Sequence, residues 1–241
     1  MSSVKRLGVI PARGGSKRVP NKNIRMICGK PIIHYIIETS LEAEIFDKIT
    51  VSSDSQEILN LCSHYPIETQ RLRPSSLSTD FVSIAEVLAY EYELNSTEYG
   101  DFDEVWFLSA TACLIQPRDL KNAANKFIQS GSFQAILATV EYGVSPLWAM
   151  SENSGGLLVS KQPEMLTERS QDLEKFFHDA GCFAGFKSAV FKTYGSAIPS
   201  DIFQNFEIDK LKGIDVDSEL DLQLVEAIKH KQQSTSTNPP T

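Results

Sequence analysis

The stretch LGVIPARGGSKRVPNKN, residues 7–23, joins a short apolar run to a loop crowded with positive charge. The apolar residues 7–10 predict a buried strand. The next thirteen residues, 11–23, contain two glycines, two prolines and four cationic side chains. Glycine lets the backbone approach a ligand closely and adopt positive φ, and successive backbone N–H groups in such a loop form an anion-binding concavity. We call residues 11–23 the basic loop, and its cations are Arg13, Lys17, Arg18 and Lys22.

Arginine suits phosphate because its planar guanidinium donates two parallel hydrogen bonds. The basic loop therefore predicts a polyphosphate ligand, and a solvated loop without a ligand is the alternative. The sequence contains neither G-x-x-x-x-G-K-[ST] nor G-x-G-x-x-G, which excludes a Walker A loop and a dinucleotide fingerprint.

The charge of the whole chain makes the basic loop a local feature. The chain has 241 residues and a formal net charge of −8, with 41% hydrophobic and 22% charged residues. These values are ordinary for a globular protein, and the net charge speaks against general binding to nucleic acid or a membrane surface. We expect neither nucleic acid nor a membrane among its partners.

Cysteine spacing and hydropathy predict a cytoplasmic location. Four cysteines lie far apart, which predicts reduced thiols and neither a disulfide framework nor a zinc site. No apolar run approaches the ~20 residues of a membrane span. The first ten residues also lack the apolar stretch of a signal peptide.

Strands and helices alternate along the first 140 residues. Strands are predicted at 4–12, 48–52, 104–108 and 135–140, with a short one near Ile67, and helices at 31–41, 58–61, 84–94 and 120–128. This alternation predicts an α/β fold of three layers, a mostly parallel sheet with helices on both faces. Ligands bind such sheets beyond the carboxyl ends of the strands, and the basic loop follows the first strand.

The alternation breaks between residues 142 and 187, where an irregular or antiparallel excursion is predicted. Regular order returns near residue 212 with a short strand, a turn and a final helix. We therefore expect a single domain over residues 1–232. The polar, proline-containing tail at 233–241 is predicted to be disordered.

Two carboxylates near the end of the chain are candidate metal ligands. Asp215 and Asp217 lie two residues apart in a predicted extended segment, so their side chains share a face. Mg²⁺ is the natural cation between them, because it takes oxygen ligands and bridges carboxylates to phosphates. The alternative is a solvated turn in which Asp217 caps the following helix.

The string VIPARGGSKRVPNKNI, residues 9–24, followed by GKPIIHYIIE, residues 29–38, resembles the signature of cytidylyltransferases that activate acidic sugars with CTP. The resemblance implies a fold of the nucleotide-diphospho-sugar transferase type and an enzyme that releases pyrophosphate. It implies that Arg13 and Lys22 are catalytic and balance charge on the departing pyrophosphate. It also places these residues around the triphosphate: Pro11, Ala12, Arg13, Gly14, Gly15, Ser16, Lys17, Lys22 and Asn23.

Other segments extend the resemblance along nearly the whole chain. The segment RLRPSSLSTD, residues 71–80, is similar to the LRP…L…D segment of the family. This resemblance implies that Arg73 and Ser83 contact cytosine or ribose. For Arg73, a surface salt bridge is the alternative. GIDVDSELDL, residues 213–222, is similar to the family's metal motif, so the resemblance makes Asp215 and Asp217 catalytic ligands of Mg²⁺. The implied reaction is attack of a sugar's anomeric hydroxyl on the α-phosphorus of CTP.

The segment TERSQDLEKFFHDAGCFAGF, residues 167–186, resembles the pseudaminic acid branch of this family. The resemblance implies an acidic nine-carbon sugar whose carboxylate meets Arg169. The rival sugars are neuraminic, legionaminic and 3-deoxy-octulosonic acids, and a structural hydrogen-bonded turn is the alternative for His178 and Asp179. The implied substrate-binding residues are Thr111, Arg169, Gln171, His178, Asp179 and Gly181.

The loop at 109–115 departs from the family, which carries Pro-Thr-x-Pro there. Thr111 is kept, but Ala110 and Cys113 stand in place of the prolines. This departure is the one support for a different class of function, a nucleotide-binding relative without catalysis. Intact basic and acidic segments favour the enzyme.

The excursion carries many apolar residues, which predicts that another surface covers it. Related cytidylyltransferases pair through this region, so the resemblance implies a homodimer in which residues near 145–170 reach the neighbouring site. Folding of the excursion back onto its own domain is the alternative. The apolar residues are Val144, Leu147, Trp148, Met150, Leu157, Leu158, Val159, Phe176, Phe177 and Phe183.

Overall fold

The structure is a computed structural model that describes residues 4–236. Its helices are α1 (Ile32–Glu42), α2 (Gln56–Cys62), α3 (Ile84–Tyr99), α4 (Pro117–Ser130), α5 (Ser188–Tyr194) and α6 (Glu219–Ser236). Its strands are β1 (Arg6–Pro11), β2 (Met26–Ile27), β3 (Lys30–Pro31), β4 (Lys48–Ser52), β5 (Glu104–Leu108), β6 (Ala135–Glu141), β7 (Met150–Glu152), β8 (Leu158–Ser160), β9 (Phe177–Lys187) and β10 (Phe203–Glu207).

Six strands form the central sheet in the order β10-β6-β9-β5-β1-β4. β1 pairs in parallel with β4 and β5, and β10 pairs in parallel with β6. β9 is antiparallel to both of its neighbours, β5 and β6. The predicted mostly parallel sheet is confirmed, with one antiparallel strand in its middle.

Alternation along β1 shows why helices cover both faces of the sheet. Leu7 and Val9 pack in one apolar cluster with residues of α3 and α5, whereas Ile10 packs in another with residues of α1, α2 and α4. Successive side chains of a strand point to opposite faces, so a strand apolar at every position needs cover on both. The three-layer arrangement predicted from the sequence is confirmed.

The predicted end of the excursion at residue 187 is wrong, because residues 177–187 form the core strand β9. This strand is rich in small residues, which lower the β-propensity by which strands are recognised. The structure requires some of them: a Cβ on Gly185 would lie 2.6 Å from Cε2 of Trp106. The excursion itself covers residues 142–176 and contains the antiparallel β7–β8 hairpin.

Three further differences concern the last third of the chain. The edge strand β10 has no counterpart in the prediction, and the short strand predicted near residues 213–216 is absent from the described structure, where Gly213 belongs to a turn and residues 214–216 have no regular secondary structure. α6 continues to Ser236, past the predicted start of the tail at residue 233, and residues 237–241 lie outside the described part. Within residues 4–236, no helix is both long and apolar enough to cross a membrane.

Candidate active site

The basic loop leaves the carboxyl end of β1 and is anchored to the segment that follows β4. The backbone N–H of Ala12 donates to the carbonyl of Ser52 at 2.8 Å, which extends the strand pairing. The N–H of Gly14 donates to Oδ1 of Asp54 at 2.9 Å. Asn23 closes the loop, because its Nδ2 donates to the carbonyl of Arg13 at 3.0 Å. These bonds hold the loop in one conformation at the sheet edge where ligands bind.

The expectation of positive φ at Gly14 and Gly15 is wrong. The positive φ within this loop belongs to Asn21, at 54°, just before a short 3₁₀ turn at Lys22–Ile24. The tether from Gly14 to Asp54 accounts for the difference, because it keeps the chain near the neighbouring segment. A Cβ on Gly14 would lie 3.1 Å from Cβ of Ser55, whereas one on Gly15 would meet nothing within 4 Å.

Two cations at the start of the loop converge on a single carboxylate. Asp80 accepts from Nη1 of Arg13 at 2.6 Å and from Nζ of Lys17 at 2.5 Å. Hydrogen bonds from Lys17 and Arg13 lower the pKa of Asp80. Asp80 follows the segment RLRPSSLST, and no role for it is predicted from the sequence.

The other two cations converge on the acidic segment. Arg18 donates from Nη1 to Oδ2 of Asp217 at 2.7 Å, and Nζ of Lys22 lies 3.4 Å from Oδ1 of the same carboxylate. Lys22 also donates to the carbonyl of Val216 at 2.6 Å. The four cations therefore converge on two carboxylates, which is unlike a solvated basic loop whose side chains point apart.

A cavity of about 250 Å³, which we call the Arg18 cavity, lies between these ion pairs. Four cations and two carboxylates line it, so positive charge is in excess. Oxygen-rich anions are the ligands that such a lining favours. Its lining residues are Arg13, Ser16, Lys17, Arg18, Lys22, Asn23, Asp80 and Asp217.

A second cavity of about 300 Å³, which we call the Arg73 cavity, adjoins the first and shares Arg13, Lys22, Asn23 and Asp80 with it. Its wall is mixed, with an apolar side that includes Val82, Ile84, Val87 and Phe107 and a polar side that carries Arg73. The remaining lining residues are Pro11, Arg73, Leu77, Ser78, Thr79, Val82, Ile84, Val87, Phe107, Ser109, Ala110, Thr111 and Asp215.

Arg73 is a buried guanidinium and not a surface ion pair, because only 6% of the residue is exposed. Its Nε donates to Oγ of Ser78 at 3.1 Å, and its Nη1 donates to the carbonyl of Ser52 at 3.2 Å. Burial lowers the pKa of Arg73, and the charges of Asp54 and Glu91 raise it. The guanidinium is therefore fixed in the cavity wall.

The two aspartates of the acidic segment face different cavities. Asp215 lines the Arg73 cavity, and Asp217 lines the Arg18 cavity. Burial raises the pKa of Asp215, and the charge of Asp217 raises it further. The alternative of a helix cap does not hold for Asp217, because Ser218 takes that position: its hydroxyl accepts from the N–H of Asp221 at 3.3 Å, and the carboxylate of Asp221 accepts from the N–H of Ser218 at 2.8 Å.

The acidic pair fits a divalent cation. Burial is the larger cause of the raised pKa of Asp215, and the charge of Asp217 adds to it. A cation between the two carboxylates would favour the charged form of both. Within residues 4–236 no group of three or more His, Cys, Asp or Glu side chains could hold a metal by itself. Two carboxylates suit Mg²⁺, which takes its remaining ligands from phosphates and water.

The predicted contact residues divide between the cavities and other places. Pro11, Ser16 and Thr111 line them, whereas the buried Ala12 does not. Ser83 is exposed and uses its hydroxyl to cap α3, accepting from the N–H of Glu86 at 3.2 Å.

Most predicted sugar contacts lie apart from the two cavities. Arg169 is exposed and donates from Nε to Asp172 at 2.7 Å. Gln171 lines a separate cavity of about 430 Å³ in the excursion, which we call the excursion cavity. His178 makes an edge-on contact with Tyr142, which also lines the excursion cavity, at 4.9 Å between ring centroids.

The part of β9 that follows His178 reaches back toward the acidic segment. The carbonyl of Asp179 lies 2.8 Å from Nδ1 of His178, and Oδ1 of Asp179 accepts from the N–H of Gly181 at 2.7 Å. Gly181 has φ of 66°, and a Cβ there would lie 3.5 Å from Cγ of Asp215. The predicted turn at His178 and Asp179 is therefore a stretch of strand where the pairing of β9 with β6 shifts register, and Gly181 lies close to the candidate metal ligand.

Two curated relatives resemble most of this chain. One is the pseudaminic acid cytidylyltransferase of Campylobacter jejuni, 39% identical over 75% of this chain and 77% of the relative. Another is the CMP-N,N'-diacetyllegionaminic acid synthase of Legionella pneumophila, 28% identical over 94% of this chain and 97% of the relative.

Among solved structures, a CMP:2-keto-3-deoxy-manno-octonic acid synthetase complexed with CTP superposes with a TM-score of 0.68. It covers 95% of this chain and 99% of its own, at 17% sequence identity, and so supports the fold. A model of the family described as Cytidylyltransferase matches residues 7–234. The chain therefore belongs to the cytidylyltransferase family, as the basic loop and the closing acidic segment predicted.

Proposed function

We propose that this protein transfers CMP from CTP to the anomeric hydroxyl of a nonulosonic acid, pseudaminic acid, and releases pyrophosphate. The observation that carries the proposal is a pair of adjoining cavities that share four residues and differ in their other walls. The Arg73 cavity adds an apolar side and a buried guanidinium, which suit a nucleoside, and the Arg18 cavity adds cations, which suit a polyphosphate. A nucleoside triphosphate has the same two parts, joined in the same way.

The base and ribose occupy the Arg73 cavity in this proposal. Ile84, Val87 and Phe107 supply apolar contact, and Arg73 supplies donors for the acceptor atoms of cytosine. The structural neighbour complexed with CTP has the same fold, which supports CTP as the nucleotide.

The triphosphate takes the cations that now bind carboxylates. Arg13 and Lys17 exchange Asp80 for phosphate oxygens, and Lys22 remains beside the acidic segment. Phosphate competes well for these groups because it carries more charge than one carboxylate and accepts bidentate bonds from arginine.

In the reaction, the sugar's anomeric oxygen forms a bond to the α-phosphorus and the bond from that phosphorus to the bridging oxygen breaks. The sugar hydroxyl loses its proton, and the electron pair of the broken bond leaves with pyrophosphate. Arg13 and Lys22 neutralise the charge that builds on the equatorial and leaving oxygens, a type of stabilisation worth about 10²-fold per donor.

Asp215 and Asp217 are the residues that would hold Mg²⁺. When bound, the ion supplies Lewis-acid stabilisation of phosphate oxygens and lowers the pKa of a coordinated hydroxyl. Asp215 lines the same cavity as Thr111 and Ser109, which supports a role for it near the junction of nucleotide and sugar.

Pseudaminic acid is the proposed acceptor because the 39% identical relative carries that name. Arg169 and Gln171 lie on the excursion, outside the cavities that hold the nucleotide in this proposal. Their predicted contact with the sugar therefore needs either movement of the excursion or a second copy of the chain.

A homodimer meets that need and also covers exposed apolar surface. Within the excursion, seven large hydrophobic residues are substantially exposed. Burial against a two-fold partner is the commonest way to remove such surface from water. The exposed residues are Tyr142, Val144, Met150, Leu157, Leu158, Val159 and Leu166. Phe183 does not bear on this choice, because it belongs to the core strand β9 and is buried in the main apolar cluster.

The experiment is a pyrophosphate-release assay with CTP, Mg²⁺ and one sugar acid at a time. We expect release with pseudaminic acid and much slower release with legionaminic, neuraminic and 3-deoxy-octulosonic acids. CTP binding without release for any sugar would instead support the non-catalytic relative that the altered loop at 109–115 leaves open. A cytoplasmic location stays a prediction.

A further inference from the structure

Glu91 is a buried carboxylate on α3 for which the reaction above has no use. Only 5% of the residue is exposed. The same helix contributes Ile84 and Val87 to the wall of the Arg73 cavity, so Glu91 lies behind that wall. Burying a carboxylate costs free energy unless hydrogen bonds and an opposite charge compensate.

The partners of Glu91 lead to the cavity. Asn95, one turn along α3, donates from Nδ2 to Oε2 of Glu91 at 3.2 Å. The Ser52 hydroxyl lowers the pKa of the Glu91 carboxylate, so the two groups lie close together. Oγ of Ser52 accepts from Nη1 of Arg73 at 3.4 Å, and its carbonyl accepts from the same nitrogen at 3.2 Å. Ser52 therefore lies between the carboxylate of Glu91 and the guanidinium of Arg73.

The charges on the two sides of Ser52 are complementary. Burial raises the pKa of Glu91, whereas the Ser52 hydroxyl and the charges of Arg71 and Arg73 lower it. The nearby Arg71 has its own exposed partner, Glu98, at 2.6 Å. Arg73 has no such surface partner, so Glu91 is one of the two carboxylates that offset its charge, the other being Asp54.

The guanidinium of Arg73 is held by one edge. Its Nε and Nη1 make the bonds to Ser78 and Ser52. Nη2 of Arg73 donates to no partner among the described residues. It is not a buried atom that lacks a partner, so part of its surface is accessible. Nη2 is therefore left to face the cavity and donate to a ligand.

We propose that Glu91 is a positioning residue, which fixes the guanidinium of Arg73 through Ser52 so that its free nitrogen meets the nucleobase. The inference rests on the proposed function, since it takes the base to occupy the Arg73 cavity. It assigns Glu91 to recognition of the nucleoside and not to the phosphates, because Glu91 has no contact with the basic loop cations.

The test compares two ligands on the same variants by calorimetry, CTP and inorganic triphosphate. Glu91→Gln keeps the shape and removes the charge. We expect it to weaken CTP binding by about 10-fold, because a buried charge pair loses one partner, and to leave triphosphate binding within about 2-fold. Glu93→Gln is the matched control, since Glu93 is an exposed residue of the same helix.

A double-mutant cycle shows whether Glu91 acts through Arg73. In an Arg73→Ala background, Glu91→Gln should weaken CTP binding no further, because the group that it positions is gone. Ser52→Ala, which removes the intervening hydroxyl, should weaken CTP binding selectively as well. It provides the same readout if Glu91→Gln does not fold.

Each outcome has a distinct meaning. Equal weakening for both ligands, or a lower melting temperature with an unchanged ratio of the two affinities, would show that Glu91 is merely structural. Additive effects in the cycle would also overturn the inference. If the unmodified protein binds triphosphate but not CTP, the proposed function is wrong. The inference about Glu91 then fails as well, and measurements on the unmodified protein alone reveal this failure.

Discussion

Nζ of Lys22 donates a 2.6 Å hydrogen bond to the carbonyl of Val216, a residue 194 positions away in the sequence. The bond lands between the two aspartates of the acidic segment, and the same nitrogen lies 3.4 Å from Asp217. The first loop and the last loop of the fold thus form one site. A change in either should affect both nucleotide and metal.

Removing the cations of the basic loop should slow the reaction far more than it affects folding. Arg13→Ala and Lys22→Ala should each lower kcat/KM about 100-fold or more, which corresponds to about 2.7 kcal/mol of transition-state stabilisation. Steady-state kinetics with CTP as the varied substrate measure this. Lys126→Ala, an exposed cation on α4, is the control. Near-normal kinetics in both loop variants would remove the phosphate assignment.

Replacing either member of the acidic pair should abolish Mg²⁺-dependent turnover. Asp215→Asn and Asp217→Asn keep the size of the side chain, but an amide is a much weaker ligand for Mg²⁺ than a carboxylate. The measurement is turnover against Mg²⁺ concentration for each variant. If both variants keep their turnover and unfold at a higher temperature, the pair is a strained turn and holds no metal.

An exposed leucine of the excursion tests the homodimer. Leu158 is 70% exposed, so a charge there should leave the folded chain intact and disrupt a partner's packing. Leu158→Asp should sediment as a monomer that binds CTP normally and transfers CMP poorly. Ile128→Asp on α4, also an exposed apolar position, should remain a dimer. An unmodified protein that is monomeric at micromolar concentration and fully active would contradict the dimer.

Replacing Arg169 should weaken binding of the sugar acid and leave binding of the nucleotide unchanged. Its guanidinium is exposed and paired with Asp172, away from both nucleotide cavities. Arg169→Ala should raise the KM for the sugar acid about 10-fold or more, because a carboxylate loses its bidentate partner, and leave the Kd for CTP unchanged. Asp172→Ala is the informative companion, since it frees Arg169 and should not raise that KM. Equal KM values for Arg169→Ala and the unmodified protein would exclude the contact.

His34 should make the protein less stable in mild acid. Burial, and then the charge of His64, lower the pKa of His34 from its ordinary 6.5. The unfolded chain therefore binds this proton more readily, so the free energy of unfolding falls as the pH drops below about 6.5. Nε2 of His34 is buried without a partner, so an apolar replacement is tolerable.

Urea unfolding at about pH 7.5 and about pH 5.5 checks this, because the slope of stability with pH reports the difference in bound protons. His34→Leu should lose less unfolding free energy between the two conditions than the unmodified protein. Equal losses would show that His34 does not carry the effect.

The sequence predicts β1, β4, β5 and β6 well, because each contains a short run rich in apolar or β-branched residues. β4 and β5 have the predicted bounds, 48–52 and 104–108. β9 could not be recognised in the same way. Its residues are selected by what they pack against, as Gly185 is beneath Trp106, and that contact is visible only after folding.

The candidate site, like the fold, is predictable from the sequence only in part. Charge density along the chain identifies the basic loop and the acidic pair, because each is a local pattern. Asp80 binds Arg13 and Lys17, and Arg13 lies 67 positions away from it in the sequence. No local sequence pattern predicts a pairing over that separation. The sequence leaves two roles for Arg73, a ligand contact and a surface salt bridge. Only 6% of the residue is exposed, which excludes the surface salt bridge.

A competition experiment tests the proposed transfer most directly. CTP is supplied in limiting amount with Mg²⁺ and equal concentrations of pseudaminic, legionaminic, N-acetylneuraminic and 3-deoxy-octulosonic acids, and products are counted by mass spectrometry and phosphorus NMR. Product ratios then equal the ratios of kcat/KM. The predicted result is CMP-pseudaminic acid as the main product, with one pyrophosphate formed for each CMP transferred. Unchanged CTP with all four sugars, although CTP binds, would contradict the proposal.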